Sequence, residues 1–181
     1  MKFKKENLVI LFNYTYTKPN AHPVYDAALS FFDLLGRKQS DTLSYINPTA
    51  IGAELVDEPA DWEGHHFAHA IYLFLSFTPA AARHMLVSLN NLTTFDTDDI
   101  STVKVSIFNR STHELYAEHE IVISELKNKH SFGCIAFKRD LNHLETNFTY
   151  LANAIDNPKD PGFNNIGGIE KTYRLTSTLK L

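Results

Sequence analysis

With 181 residues, 44% of them apolar and 12% aromatic, the chain can build one domain with a real core; disorder and two ordinary domains are both excluded. Its 17 basic and 21 acidic side chains leave a net charge of -4, which argues against a nucleic-acid binder, since such proteins normally carry a basic patch or stripe. A single cysteine, Cys134, excludes an internal disulfide and suits a reducing compartment.

Short β-rich runs recur between polar turns, and long helical patterns are scarce. Residues 8–16 (LVILFNYTY) are β-branched and aromatic and run into the turn signal Pro19-Asn20. Residues 28–32 form a second apolar run, closed by Asp33 and Gly36-Arg37-Lys38. Residues 70–77 (AIYLFLSF) are continuously apolar, as in a strand buried on both faces. Thr78-Pro79 then predicts a short helical turn through the alanines, with Pro at the first helical position. Strands follow at residues 85–89 and 103–107, the latter in strict alternation, and Asn109 to Glu114 reads as a hairpin turn into a strand at 115–123. Runs at 132–137, 148–152 and 173–179 bring the set to about ten strands, with a Pro- and Gly-containing loop at 156–168 before the last. The predicted class is all-β: a two-sheet antiparallel β-sandwich with one or two short helices.

The most ligand-rich window is Trp62-Glu63-Gly64-His65-His66-Phe67-Ala68-His69, preceded by Asp57, Glu58 and Asp61. Its carboxylates suit a hard cation, but the spacing is not that of an EF-hand. His65 and His69 are four positions apart, so a regular helix or strand sets them on one face, and two imidazoles with a carboxylate suit Zn²⁺, Ni²⁺ or Cu²⁺. The glutamate of H-E-x-x-H is missing, which argues against a metalloprotease. Solvated acidic loops and hydrogen-bonded histidines at a loop-to-strand junction are the commoner uses of such spacing, and the window by itself leaves all of these open. Trp62 reads as a clamp of this segment onto the core.

Other chemistry is sparse. No G-x-S-x-G elbow or glycine-rich phosphate loop occurs, and Cys134 in Phe132-Gly133-Cys134-Ile135-Ala136-Phe137 reads as a small buried hydrophobe. Asn13, Asn91, Asn109 and Asn147 fit the N-glycosylation pattern, which carries no weight without a secretory signal. No signal-peptide pattern and no membrane-spanning apolar run is present, so a soluble cytoplasmic protein is expected.

The order of several segments resembles the tellurite-resistance TerD-like family. Asp26-Ala27, Phe32-Asp33, Gly36-Arg37-Lys38-Gln39 and Asp41-Thr42 are similar to the family's F-D-L-D-A-S opening, its G-K loop and the aspartate that follows. Residues 71–89, with Pro79 after an apolar run, resemble its strand, L-x-x-L-P turn and strand. Residues 105–123, with His113-Glu114-Leu115-Tyr116, are similar to its g-x-E-L-A-x-Y segment, and residues 132–154 resemble its closing strands. The resemblance covers residues 8–154. It implies that residues 1–155 form a TerD-like sandwich, with 156–181 adding a loop and a last strand to the same domain.

The resemblance also implies a non-enzymatic, stress-response module that binds calcium through an acidic loop and has protein partners, itself or paralogues. The matching loop runs over residues 57–69. Glu63-Gly64 falls on the family's E-G, and Glu58 lies near its first aspartate. The family's D-G-D-D-E reads His65-His66-Phe67-Ala68-His69 here, and Val24 replaces the first aspartate of D-x-D-A. Imidazole is a poor Ca²⁺ ligand, so weak or absent calcium binding is expected, with a transition metal as the other outcome and no further cofactor. The expected residues for a cation site are Asp26, Glu58, Glu63, His65 and His69. Two alternatives compete with this reading: a histidine-dependent metal protein or enzyme, and a phage or viral structural sandwich.

Overall fold

The structure is a computed structural model and describes residues 2–4, 6–18, 25–91, 100–123, 131–140 and 145–150. Thirteen strands occur among them: β1 (Lys2–Lys4), β2 (Asn7–Tyr16), β3 (Tyr25–Phe32), β4 (Thr49–Ala50), β5 (Ala53–Val56), β6 (Ala60–Trp62), β7 (His65–Phe67), β8 (His69–Phe74), β9 (His84–Asn91), β10 (Ile100–Asn109), β11 (Leu115–Val122), β12 (Ser131–Asp140) and β13 (Glu145–Tyr150). They form a five-stranded sheet in the order β1-β13-β12-β9-β3, a six-stranded sheet in the order β11-β10-β2-β8-β5-β4, and the separate pair β6-β7. All pairings are antiparallel.

Strand β2 shows how the sequence distributes its apolar residues. Successive side chains of a strand point to opposite faces. Leu8, Ile10, Phe12 and Tyr14 enter the main core, which also draws Ala27, Leu29 and Phe31 from β3, Val87 and Leu89 from β9, and Ile135 and Phe137 from β12. Both large sheets therefore feed one hydrophobic cluster. Val9 and Leu11 face the other way and join Phe67, Ala70 and Phe108 in a second cluster, closed by Val56, Trp62 and Tyr72. A strand apolar on both faces thus has a cover on both.

That second cover is the β6-β7 hairpin, where the sequence suggested a loop. Trp62 pairs with His65 across the two-residue turn Glu63-Gly64, both residues having positive φ (49° and 82°). Such a turn is the mirror-image type whose twist matches a hairpin, and glycine supplies its second position without steric cost. The Ala68 amide donates to the Phe12 carbonyl at 2.8 Å, and Asn13 Nδ2 donates to the His66 carbonyl at 3.2 Å. Trp62 packs on Phe108 with ring centroids 5.2 Å apart, the clamp expected of it.

The expected short helices are not seen: the described residues contain no helix. Strand β8 ends at Phe74, three residues earlier than the apolar run suggested, and Phe77 is 70% exposed. After Pro79 a single backbone bond from the Ala82 amide to the Pro79 carbonyl (2.9 Å) closes one turn before β9 begins. One turn fixes several dihedrals for a single bond, so nothing propagates it into a helix. Cys134 is fully buried where the β12-β9 register shifts between Gly133 and Ile135, as a small core residue. No helix of the described residues is long and apolar enough to cross a membrane. The loop expected at 156–168, the strand expected at 173–179 and the C-terminal part of the domain fall outside the described residues.

Candidate functional site

In register with the β5-β8 pair, Val56 opposes Ala70, so the next position sets Asp57 opposite His69. Ala53 and Leu55 point into the main core, and period-two alternation turns Asp57 to the same side. Likewise His69 precedes the core residues Ile71 and Leu73 by even steps along β8. On the other sheet, Asp26 lies one residue inside β3. Asp26, Asp57 and His69 each present one ligand atom, and the three atoms lie within 4.8 Å of one another.

The imidazole is the most constrained of the three. His69 is only 4% exposed. Its Nδ1 lies 2.6 Å from Asp57 Oδ1, yet the pair is not aligned as a hydrogen bond, and neither nitrogen of His69 has a hydrogen-bond partner among the described residues. Short separation without alignment leaves both nitrogens' bonding capacity unspent. Buried polar groups without partners are rare and costly, about 1–3 kcal/mol each. The Tyr14 ring meets His69 edge-on at 5.6 Å and fixes one side of the site; its hydroxyl donates to the Tyr25 carbonyl at 3.2 Å. Desolvation, then the like charge of Asp57, raise the Asp26 pKa, while His69 pulls it down. Two carboxylates and an imidazole held together in this way form a site that a cation would relax.

The other expected ligands lie elsewhere. Glu58 is exposed beside Asp57 and does not reach the cluster. Glu63 is at the tip of the β6-β7 hairpin, its Oε2 3.5 Å from His113 Nδ1. His65 lies on the outer face, its ring centroid 4.7 Å from that of Phe108 and stacked on Trp62. His66 pairs with Asp61 at 2.7 Å, exposed to solvent. The four-residue spacing of His65 and His69 does not place them together, because Ala68 crosses from the hairpin into the main sheet between them. Asp57, one of the window's carboxylates but not one of the five expected site residues, is the third member of the cluster, and the alternation Ala53-x-Leu55-x-Asp57 is the signal that finds it.

No known family model matches the chain. No curated protein matches it either. Among solved structures, a homologue of the telluride resistance protein TerD from Streptomyces coelicolor A3(2) superposes with a TM-score of 0.59 at 10% identity, over 80% of this chain and 87% of that one. A protein of unknown function superposes with a TM-score of 0.58 at 12% identity, over 82% of this chain and 88% of the other. At these identities the likeness is one of fold.

Proposed function

We propose that this chain, with its TerD-like fold, is a divergent sandwich of two face-to-face sheets serving as a non-enzymatic binding module in stress response. Its cation site holds a divalent transition metal on Asp26, Asp57 and His69 in place of calcium. The observation that carries this reading is the buried imidazole of His69, both nitrogens without a hydrogen-bond partner among the described residues, beside two carboxylates. Calcium takes about 6–8 oxygen ligands, whereas zinc accepts about three protein ligands of mixed nitrogen and oxygen with an open position left over. One imidazole and two carboxylates fit the second requirement and not the first.

The non-enzymatic part draws support from Cys134, whose thiol is pushed far up by burial and so stays protonated. Protein partners, the chain itself or paralogues, follow from the TerD-like resemblance and are to be checked by the mass of the protein in solution.

Calorimetric titration of chelator-treated protein with Zn²⁺ and, separately, Ca²⁺ tests the metal reading. The expected result is one Zn²⁺ per chain, little or no heat from Ca²⁺, and affinity reduced more than about 100-fold in His69→Ala, since even outer partners of metal ligands are worth about 10–100-fold. Micromolar Ca²⁺ binding, or Zn²⁺ binding unchanged in His69→Ala, would sink the assignment. Glu63→Gln and His65→Ala are expected to leave the titration unaltered.

A further inference from the structure

At the opposite end of the sheets two arginines face each other. Lys138 of β12 is paired with His84 of β9, and one step further the Arg139 amide donates to the Arg83 carbonyl at 2.8 Å. Arg83 and Arg139 are therefore direct cross-strand neighbours on one face. Like charges so placed repel and destabilise a sheet. The usual remedy is a carboxylate nearby, and Arg37 at the same end has one: its Nε lies 2.6 Å from Asp33 Oδ2. Among the described residues, no such ion pair reaches Arg83 or Arg139.

The pair is also held in place. Arg139 Nη1 donates to Thr78 Oγ1 at 2.7 Å, and that hydroxyl donates in turn to the Leu75 carbonyl at 2.9 Å. Arg83 Nη1 is buried and has no hydrogen-bond partner among the described residues. Burial, then the adjacent Arg83 charge, lower the pKa of Arg139. A guanidinium fork fixed by a threonine, beside a second fork with a buried unspent donor, is organised for an acceptor that no described side chain supplies.

We propose that Arg83 and Arg139 form a binding site for an oxyanion of the phosphate type, with Thr78 as the residue that positions Arg139. Charge selects phosphate over carboxylate, because a dianion neutralises two guanidiniums and a single carboxylate only one. Geometry agrees, since planar forks recognise tetrahedral oxyanions by paired hydrogen bonds. The anion is either free phosphate or the phosphate group of a larger small molecule.

The test titrates the full chain in chelator-containing chloride buffer with inorganic phosphate, phosphoserine and citrate, against sodium chloride at matched ionic strength. Saturable binding of one phosphate per chain is expected, weakened at least about tenfold by Arg83→Gln and by Arg139→Gln, because one lost fork–anion contact of about 1.4 kcal/mol is tenfold. Equal binding of phosphoserine supports an esterified ligand, and inorganic phosphate alone supports the free anion. His69→Ala leaves this titration unchanged, which separates it from the metal reading. Should either arginine variant fail to fold, amide spectra of the wild type decide: phosphate-induced shifts centred on Thr78, Arg83 and Arg139 support the site, and shifts centred elsewhere overturn it. A response to phosphate no different from that to chloride, a preference for citrate, or unchanged binding in both folded variants also overturns it.

Discussion

The two ends of the sheets concentrate ionisable groups of opposite sign, and they assemble them differently. At one end, Asp26, Asp57 and His69 come from β3, the residue after β5 and the start of β8, so both sheets must be in place before the site exists. At the other, Arg83 and Arg139 meet through a single strand pairing, and only Thr78 comes from outside it. The first end concentrates negative charge around a buried imidazole; the second concentrates positive charge around a buried guanidinium nitrogen. Apolar burial in the shared core supplies the stability that lets both ends carry such groups, since each fully buried Phe or Leu contributes about 1.5–3 kcal/mol. Charge that the fold leaves unmatched at a sheet end is where a ligand gains most.

The largest expected effect probes the rigidity of the arginine end through the backbone alone. Gly52 has φ +79°, and an added Cβ would lie 2.5 Å from the Thr78 amide nitrogen. Backbone cannot swing aside as a side chain can. Gly52→Ala combines a left-handed residue, about 1–2 kcal/mol, with a clash of about 1–3 kcal/mol, and is expected to cost about 2–5 kcal/mol in denaturant unfolding. Gly64 at the hairpin tip has φ +82° but nothing within 4 Å of an added Cβ. Gly64→Ala is expected to cost only the backbone share, about 1–2 kcal/mol. Equal losses at the two glycines would mean that Thr78 yields, and that the arginine end is less rigidly built than its hydrogen bonds suggest.

Metal comes next. Zn²⁺ at a hundred times its dissociation constant is expected to raise the unfolding free energy of the wild type by about 2.7 kcal/mol, and that of Arg139→Gln by the same amount. In Asp57→Ala the increment should disappear. If Zn²⁺ stabilises Asp57→Ala as much as the wild type, the acidic end is not the metal site.

Much of the fold was legible as short β-rich runs. Residues 8–16, 28–32, 85–89 and 103–107 fall within strands and 115–123 overruns β11 by one residue, because each presents enough β-branched or aromatic residues to fill a face. The β6-β7 hairpin was not, since three-residue strands carry too little pattern, although the Glu63-Gly64 turn marks its tip. The helical turn at Pro79 was overread because a proline followed by alanines is a start signal with no length behind it. Of the proposed cation cluster, Asp26 and His69 were among the residues the sequence singled out, whereas His65 was drawn in by a spacing that holds only along one continuous element. The Arg83–Arg139 pairing needs the β9-β12 register, and local sequence does not contain it.

The smallest effect concerns Arg37, the arginine at the basic end that has a carboxylate partner among the described residues. Burial pushes the Asp33 carboxyl up, but the Arg37 amide and guanidinium, with the Leu35 amide, outweigh it and hold the pKa below the usual carboxylate value. A carboxylate whose folded pKa is depressed contributes stability that is present above its unfolded pKa, near 3.9, and lost as pH falls through the folded value. Asp33→Asn is therefore expected to lower the melting temperature modestly at neutral pH and to converge on the wild type once the pH falls below the depressed folded pKa. Because Arg37 is largely exposed, solvent and salt screen the pair, so the gap at neutral pH should also shrink in high salt. The contrast with Arg139 lies in the sign. Removing Asp33 takes a partner from an arginine and destabilises, whereas Arg139→Gln in phosphate-free buffer takes away a repulsion and should leave stability equal or higher, apart from the lost Thr78 bond. If Arg139→Gln instead destabilised as Asp33→Asn does, and did so regardless of phosphate, the two arginines would already be balanced within the protein, and the basic end would need no anion.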